Sequence, residues 1–98
     1  MILEHALLPV RPGEEEDFLE AFGAAKQIIA SMAGFRSLGL ARCTERPHVF
    51  LLLVEWETLE HHIEGFRGSA EYDDWRRLLH HFYEPFPVVE HFVQVLEA

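Results

Sequence analysis

The segment His48 to Trp56, HVFLLLVEW, is the part of the chain that most limits what it can fold into. Its length and its β-branched and aromatic residues suit a strand, along which side chains alternate between two faces. Both alternating sets are apolar here: Val49, Leu51 and Leu53 in one, Phe50, Leu52, Val54 and Trp56 in the other. A strand with one face in water would carry polar residues in one of the two sets. This strand is therefore central and covered on both sides. A chain of 98 residues forms one domain, residues 1–98, with one core, and a single layer of helices covers only one face of a sheet. A second copy of the same sheet would cover the other across a symmetric interface, giving a homodimer. Eight Phe in so short a chain agree with a second buried surface.

The neighbours of this strand supply the rest of the sheet. Ile2 to Val10 is mainly apolar, holds Glu4 and His5, and ends at Arg11-Pro12-Gly13, so it reads as strand one. Glu14 to Asp17 place four carboxylates where they complement a helix dipole. Phe18, Phe22, Ala25, Ile29 and Met32 follow at helical spacing, and the helix should end near Met32, with Gly34 as its stop. Phe35 to Thr44 is strand two, and Glu45-Arg46-Pro47 turns the chain into strand three. Thr58 can cap a short helix to about Glu64, and Ser69 a second one to about Tyr83, which Pro85 and Pro87 stop. Val88 to Leu96 is expected as the last strand, with Val89, His91, Val93 and Val95 on one side. The order β, α, β, β, α, β is the split βαβ of a ferredoxin-like α+β fold with a four-stranded antiparallel sheet.

Charge and cysteine usage exclude several functions. With 17 Asp and Glu against 8 Lys and Arg there is no basic stripe to neutralise phosphates, so nucleic acid is not an expected partner. The longest uninterrupted apolar run, Val49 to Val54, falls far short of the ~20 residues that span a bilayer. The lone Cys43 cannot form an intrachain disulfide, and the N-terminal residues lack the pattern of a signal peptide. A cytoplasmic location is the expectation.

Val54 to Tyr72, VEWETLEHHIEGFRGSAEY, resembles the segment after strand three in the antibiotic-biosynthesis-monooxygenase family: a strand ending in Trp56, a short helix with Leu59 and His62, then a helix capped by Ser69 and bearing Tyr72. The order of elements, the Pro-Gly and acidic start of helix one and the Gly-Phe opening of strand two extend the resemblance over nearly the whole chain. It implies a dimeric α+β barrel with a cavity between sheet and helices in each subunit. It also implies a cofactor-independent monooxygenase, using neither flavin nor metal, that acts on small phenolic, anthrone- or quinol-like aromatics. Such chemistry asks for an apolar pocket, a few groups to take a proton and hold an anion, and a stacking surface. Phe22, Phe66, Tyr72, Trp75 and Phe82 are the candidate lining; His62 and either His80 or His81 are candidate bases or hydrogen-bond donors, since histidine titrates near neutrality. His62, Trp75 and His81 are taken as the catalytic set.

Other readings remain open. A non-catalytic dimeric module binding a small apolar ligand or a protein is the main alternative. Haem binding or degradation is a minor one, because a haem-degrading branch of the superfamily uses an Asn on strand one, and none is present here. His61-His62 and His80-His81 suggest metal, but neighbours on a helix lie about 100° apart, so each pair sends at most one ring inward, and two inward rings leave a tetrahedral site short of ligands. No metal is expected. His91 is expected to make a structural hydrogen bond at the dimer contact, with His5 in the same role. Arg67 and Arg76 could hold a substrate anion or pair with surface carboxylates.

Overall fold

The computed structural model describes residues 1–98. Strands β1 (Ile2–Pro9), β2 (Phe35–Arg42), β3 (Val49–Trp56) and β4 (Val89–Phe92) form one sheet, with helices α1 (Glu15–Ala30) and α2 (Ala70–Leu79) between them in the chain. The order across the sheet is β2-β3-β1-β4, and each neighbouring pair runs antiparallel. This is the ferredoxin-like α+β arrangement expected from the order of elements. β3 is central, as its two apolar faces require.

One face of the sheet carries the core. Ala6, Leu8 and Val10 from the first strand segment meet Phe50, Leu52, Val54 and Trp56 of β3, and Phe18, Phe22, Ala25 and Ile29 of α1 close over them, all buried. The opposite face pairs Leu7 with Leu51, His5 with Leu53 and Leu3 with Phe92. Leu7 and Phe92 are each 46% exposed in the single chain, so this face is apolar yet uncovered.

Helix α1 stops two residues before the expected Met32. Gly34 then turns the chain with φ of 82°, a left-handed conformation that glycine adopts without strain. It also leaves space: a Cβ there would lie 2.2 Å from Cγ of His61. The Ser69 hydroxyl accepts from the Tyr72 backbone N–H at 3.2 Å, so the predicted cap of α2 is present.

Three elements differ from expectation. The segment after Thr58 is a π-helical turn, His61–Phe66, closed by the Arg67 N–H on the His62 carbonyl at 3.0 Å. Helix α2 ends at Leu79 and tightens into a 3₁₀ turn, His80–Phe82, which is tied to the end of β1 by Arg11 N–H on the Phe82 carbonyl at 2.9 Å. β4 stops at Phe92 rather than Leu96, because Phe92 already pairs with Leu3 and β1 has almost no chain left to extend the ladder. Val93, Val95 and Leu96 beyond it are exposed.

Candidate functional site

The sheet and α2 do not meet over their whole length, and the gap between them is a cavity of about 340 Å³. Its floor is Glu4, Ala6 and Leu8 of β1, Leu52 of β3 and Val89 of β4; its roof is His62 and Phe66 of the π turn with Tyr72 and Trp75 of α2. Arg67, His80, Tyr83, Phe86 and Pro87 complete it, and the exposure of Arg67 and Phe86 puts these two at the rim. The volume lies in the range of small-molecule sites, and the walls are largely aromatic.

The π turn builds the roof. A turn wider than an α-helix brings residues four to five apart onto one face, so His62 and Phe66 point inward together while Ile63 to Gly65 face out. Gly68 permits the exit, since a Cβ there would sit 2.4 Å from the Glu64 carbonyl oxygen. The His62 ring stacks on Trp56 with centroids 5.3 Å apart and planes 18° from parallel, and Phe66 continues the stack at 6.0 Å from Trp56. Trp75 meets Phe66 edge-on at 5.5 Å.

At the polar end of the cavity a chain of four side chains from four elements begins. The indole N–H of Trp56 donates to Oε1 of Glu4 at 2.9 Å. Nε2 of His62 lies 3.3 Å from the same oxygen, and Nδ1 of His62 lies 2.7 Å from Nε2 of His91. Glu4 and His62 are the two buried polar side chains of the molecule, at 4% and 3% exposure.

Burial decides their charge. It pulls the His62 pKa from 6.5 down to about 3, and the positive charges of Arg67 and His91 act in the same direction. The same loss of solvation raises the Glu4 carboxyl above its ordinary value, against the opposing effects of the Trp56 hydrogen bond and Arg67. The pair is therefore not a conventional ion pair at neutral pH: His62 is a neutral imidazole, donating through one nitrogen and accepting through the other. Its expected titration near neutrality does not occur. His91 is lowered by burial and by Arg67, and His80 by burial and by Arg76.

The sequence-derived residues divide between cavity and core. His62, Phe66, Tyr72 and Trp75 line the cavity together. Phe22 and Phe82 do not: Phe22 is buried against Phe18 and Trp75, and Phe82 packs edge-on against Phe18 at 5.7 Å. His81 does not line it either. Its ring is exposed and its carbonyl accepts from Arg11, which anchors the 3₁₀ turn so that His80 is the member of the pair on the cavity. His91 lies on the helix-covered face, where it bonds His62, rather than at a contact on the outer face. Arg76 pairs with Asp73 at 3.8 Å, whereas Arg67 makes no ion pair.

Glu4 and His91 were not among the sequence-derived site residues. Glu4 carried a readable signal: it is the one carboxylate of β1 and shares the alternation of Ala6, Leu8 and Val10, so its phase alone puts a charge on the buried face.

The profile of the antibiotic biosynthesis monooxygenase family matches residues 1–78. The chain belongs to this family. It is 54% identical to YczJ, an uncharacterised protein of Bacillus subtilis (strain 168), over 97% of this chain and all of that one. A crystal structure of a Bordetella bronchiseptica protein bearing the same family name superposes with a TM-score of 0.92 at 35% identity, over 97% of each chain. SnoaB of Streptomyces nogalater, a cofactor-independent oxygenase, matches with a TM-score of 0.83 over 98% of this chain and 94% of its own, at 12% identity, a likeness of fold alone. No helix is long and apolar enough to cross a membrane.

Proposed function

We propose that the chain is a cofactor-independent monooxygenase of a small electron-rich aromatic, phenolic, quinol- or anthrone-like, and that it works as a homodimer in the cytoplasm. The observation that carries the reading is the cavity of about 340 Å³ with aromatic walls and, at one end, a buried carboxyl 3.3 Å from a ring nitrogen of a neutral histidine. Aromatic walls desolvate and orient a flat substrate, leaving a few polar groups to handle its proton. Oε1 of Glu4 takes the Trp56 and His62 contacts. Oε2 has no protein partner, and no buried polar side-chain atom is left without one, so Oε2 opens on the cavity that Glu4 lines.

In this reading Glu4, as the carboxylate, takes a proton from the substrate and the electron pair stays on the ring system. The resulting anion adds to oxygen, forming a C–O bond to a peroxide. The peroxide then receives a proton, its carbon gives up its remaining hydrogen as a proton, and the C–H electron pair becomes the second bond of the product carbonyl as the O–O bond breaks; the departing hydroxide and that proton leave as water. Arg67, unpaired at the rim, attracts an anionic substrate group, and His62 steadies the Glu4 carboxylate as a neutral donor. The relation to SnoaB supports oxygen chemistry on this fold without a cofactor. The test is turnover of a panel of anthrones and hydroquinones with and without oxygen. Oxygen-dependent, protein-dependent product is expected; equal turnover in both conditions refutes the reading.

The dimer is supported by the uncovered apolar face of Leu3, Leu7, Leu51, Leu53 and Phe92. Sedimentation at micromolar concentration is expected to give twice the chain mass of 11.4 kDa. A monomer would refute it.

A further inference from the structure

Of Glu4, His62 and His91, the last is the one that the proposed reaction does not use. Glu4 and His62 line the cavity; His91 does not. It stands on β4, the edge of the sheet, half-buried, with Nε2 on His62 at 2.7 Å. Its other ring nitrogen, Nδ1, has no protein partner, and since no buried polar side-chain atom lacks one, Nδ1 reaches solvent. An unbroken line of polar atoms therefore runs from the cavity through two imidazoles to the outside.

We propose that His91, His62 and Glu4 form a proton relay that keeps the carboxyl of the cavity in exchange with solvent while a ligand fills the mouth. The inference rests on the monooxygenase reading for its purpose and on the geometry alone for its existence.

Two proton arrangements satisfy every contact in the chain. In one, Glu4 is a carboxylate with Oε1 3.3 Å from the Nε2–H of His62, and His91 donates through Nε2–H to Nδ1 of His62. In the other, Glu4 is a carboxylic acid with its proton on Oε1, facing Nε2 of His62 across the same 3.3 Å, and His62 donates through Nδ1–H to Nε2 of His91. The first becomes the second when a proton from water binds Nδ1 of His91. The Nε2 proton of His91 then moves to Nδ1 of His62, and the Nε2 proton of His62 moves to Oε1 of Glu4. One proton enters, one is gained by Glu4, and each histidine ends neutral with its proton on the opposite nitrogen. The reverse sequence returns the proton to water. The titratable groups facing the relay are Arg67 from the turn and Tyr72, His80 and Tyr83 across the cavity, with Trp56 as a fixed donor behind Glu4.

The relay makes a prediction that a static hydrogen-bonded cluster does not. In protein with labelled histidine and glutamate, nuclear magnetic resonance reads the Glu4 carboxyl carbon and both ring nitrogens of His62 between pH 4 and 9. The expected result is one common midpoint, at which Glu4 gains its proton and the His62 proton moves from Nε2 to Nδ1. A Glu4 carboxyl that titrates while His62 keeps one tautomer overturns the relay, and so does a carboxyl that does not titrate in this range. This readout needs no turnover. A tautomer switch without oxygenase activity removes the monooxygenase reading alone; oxygenase activity with a fixed tautomer removes the relay alone.

Discussion

Replacing His62 with glutamine should make the stability of the protein less sensitive to acid, by an amount set by the burial of that ring. The folded chain holds the His62 pKa at about 3 against an ordinary 6.5. Between these two values the unfolded chain binds a proton at this position that the folded chain does not, so stability rises with pH across the window and is lost as the pH falls through it. Above about 6.5 neither state is protonated and the dependence vanishes. Each unit below that value costs about 1.4 kcal/mol, so going from neutral pH to pH 5 removes about 2 kcal/mol through this residue. His80 and His91, also lowered, act in the same direction. Glu4 acts in the opposite one: its carboxyl is raised, so its contribution is present below the ordinary carboxyl value and lost as the pH rises through the folded value. The variant isolates the His62 share. Urea midpoints at pH 7 and pH 5, at one protein concentration, measure it; at a slope of about 1–2 kcal/mol per molar, wild type should lose on the order of 1 M more than His62→Gln between the two pH values. Equal losses would show that the ring is not held neutral by burial.

Three further outcomes follow from particular contacts. Val89→Phe puts a ring into the cavity from the half-buried edge strand and should lower ligand affinity at least about tenfold, with near-native unfolding midpoint, by titration calorimetry. Ser69→Ala removes the cap of α2 and should cost about 1 kcal/mol, a fall in Tm of about 4–8 °C by calorimetry. Leu7→Glu puts a charge at the centre of the outer face and should shift sedimentation from dimer to monomer without loss of helical circular dichroism.

How far the sequence could be read depended on whether a local pattern carries the geometry. The two apolar faces of β3 and the Ser69 cap are written in alternation and residue type, and both appear in the structure where expected. The phase of Glu4 was legible as well, since alternation through Ala6 and Leu8 sends it inward; its partners were not, because they come from β3, the π turn and β4. His91 was placed in the correct alternating set but on the wrong face. In the four residues Val89-Glu-His-Phe92 each set holds one apolar side chain, so the pattern does not say which faces the helices. His81 was lost to a change of pitch. After Leu79 the chain tightens from α to 3₁₀, with Arg11 on the His81 carbonyl, and the changed angle between successive side chains puts His80 on the cavity. The π turn had no signal, because residue propensities do not separate one wide turn from a frayed α-helix.

The central claim, that the cavity bounded by Glu4, His62 and Trp75 supports reaction of an aromatic with oxygen without a cofactor, is tested most directly by oxygen uptake. Protein stripped of metal by chelation and free of flavin absorbance is mixed with an anthrone or hydroquinone in an oxygen-electrode cell. Wild-type protein is expected to take up one oxygen molecule per substrate, at a rate lowered on the order of a hundredfold by Glu4→Gln. No protein-dependent uptake with any substrate of the panel, or an undiminished rate in Glu4→Gln, would contradict it.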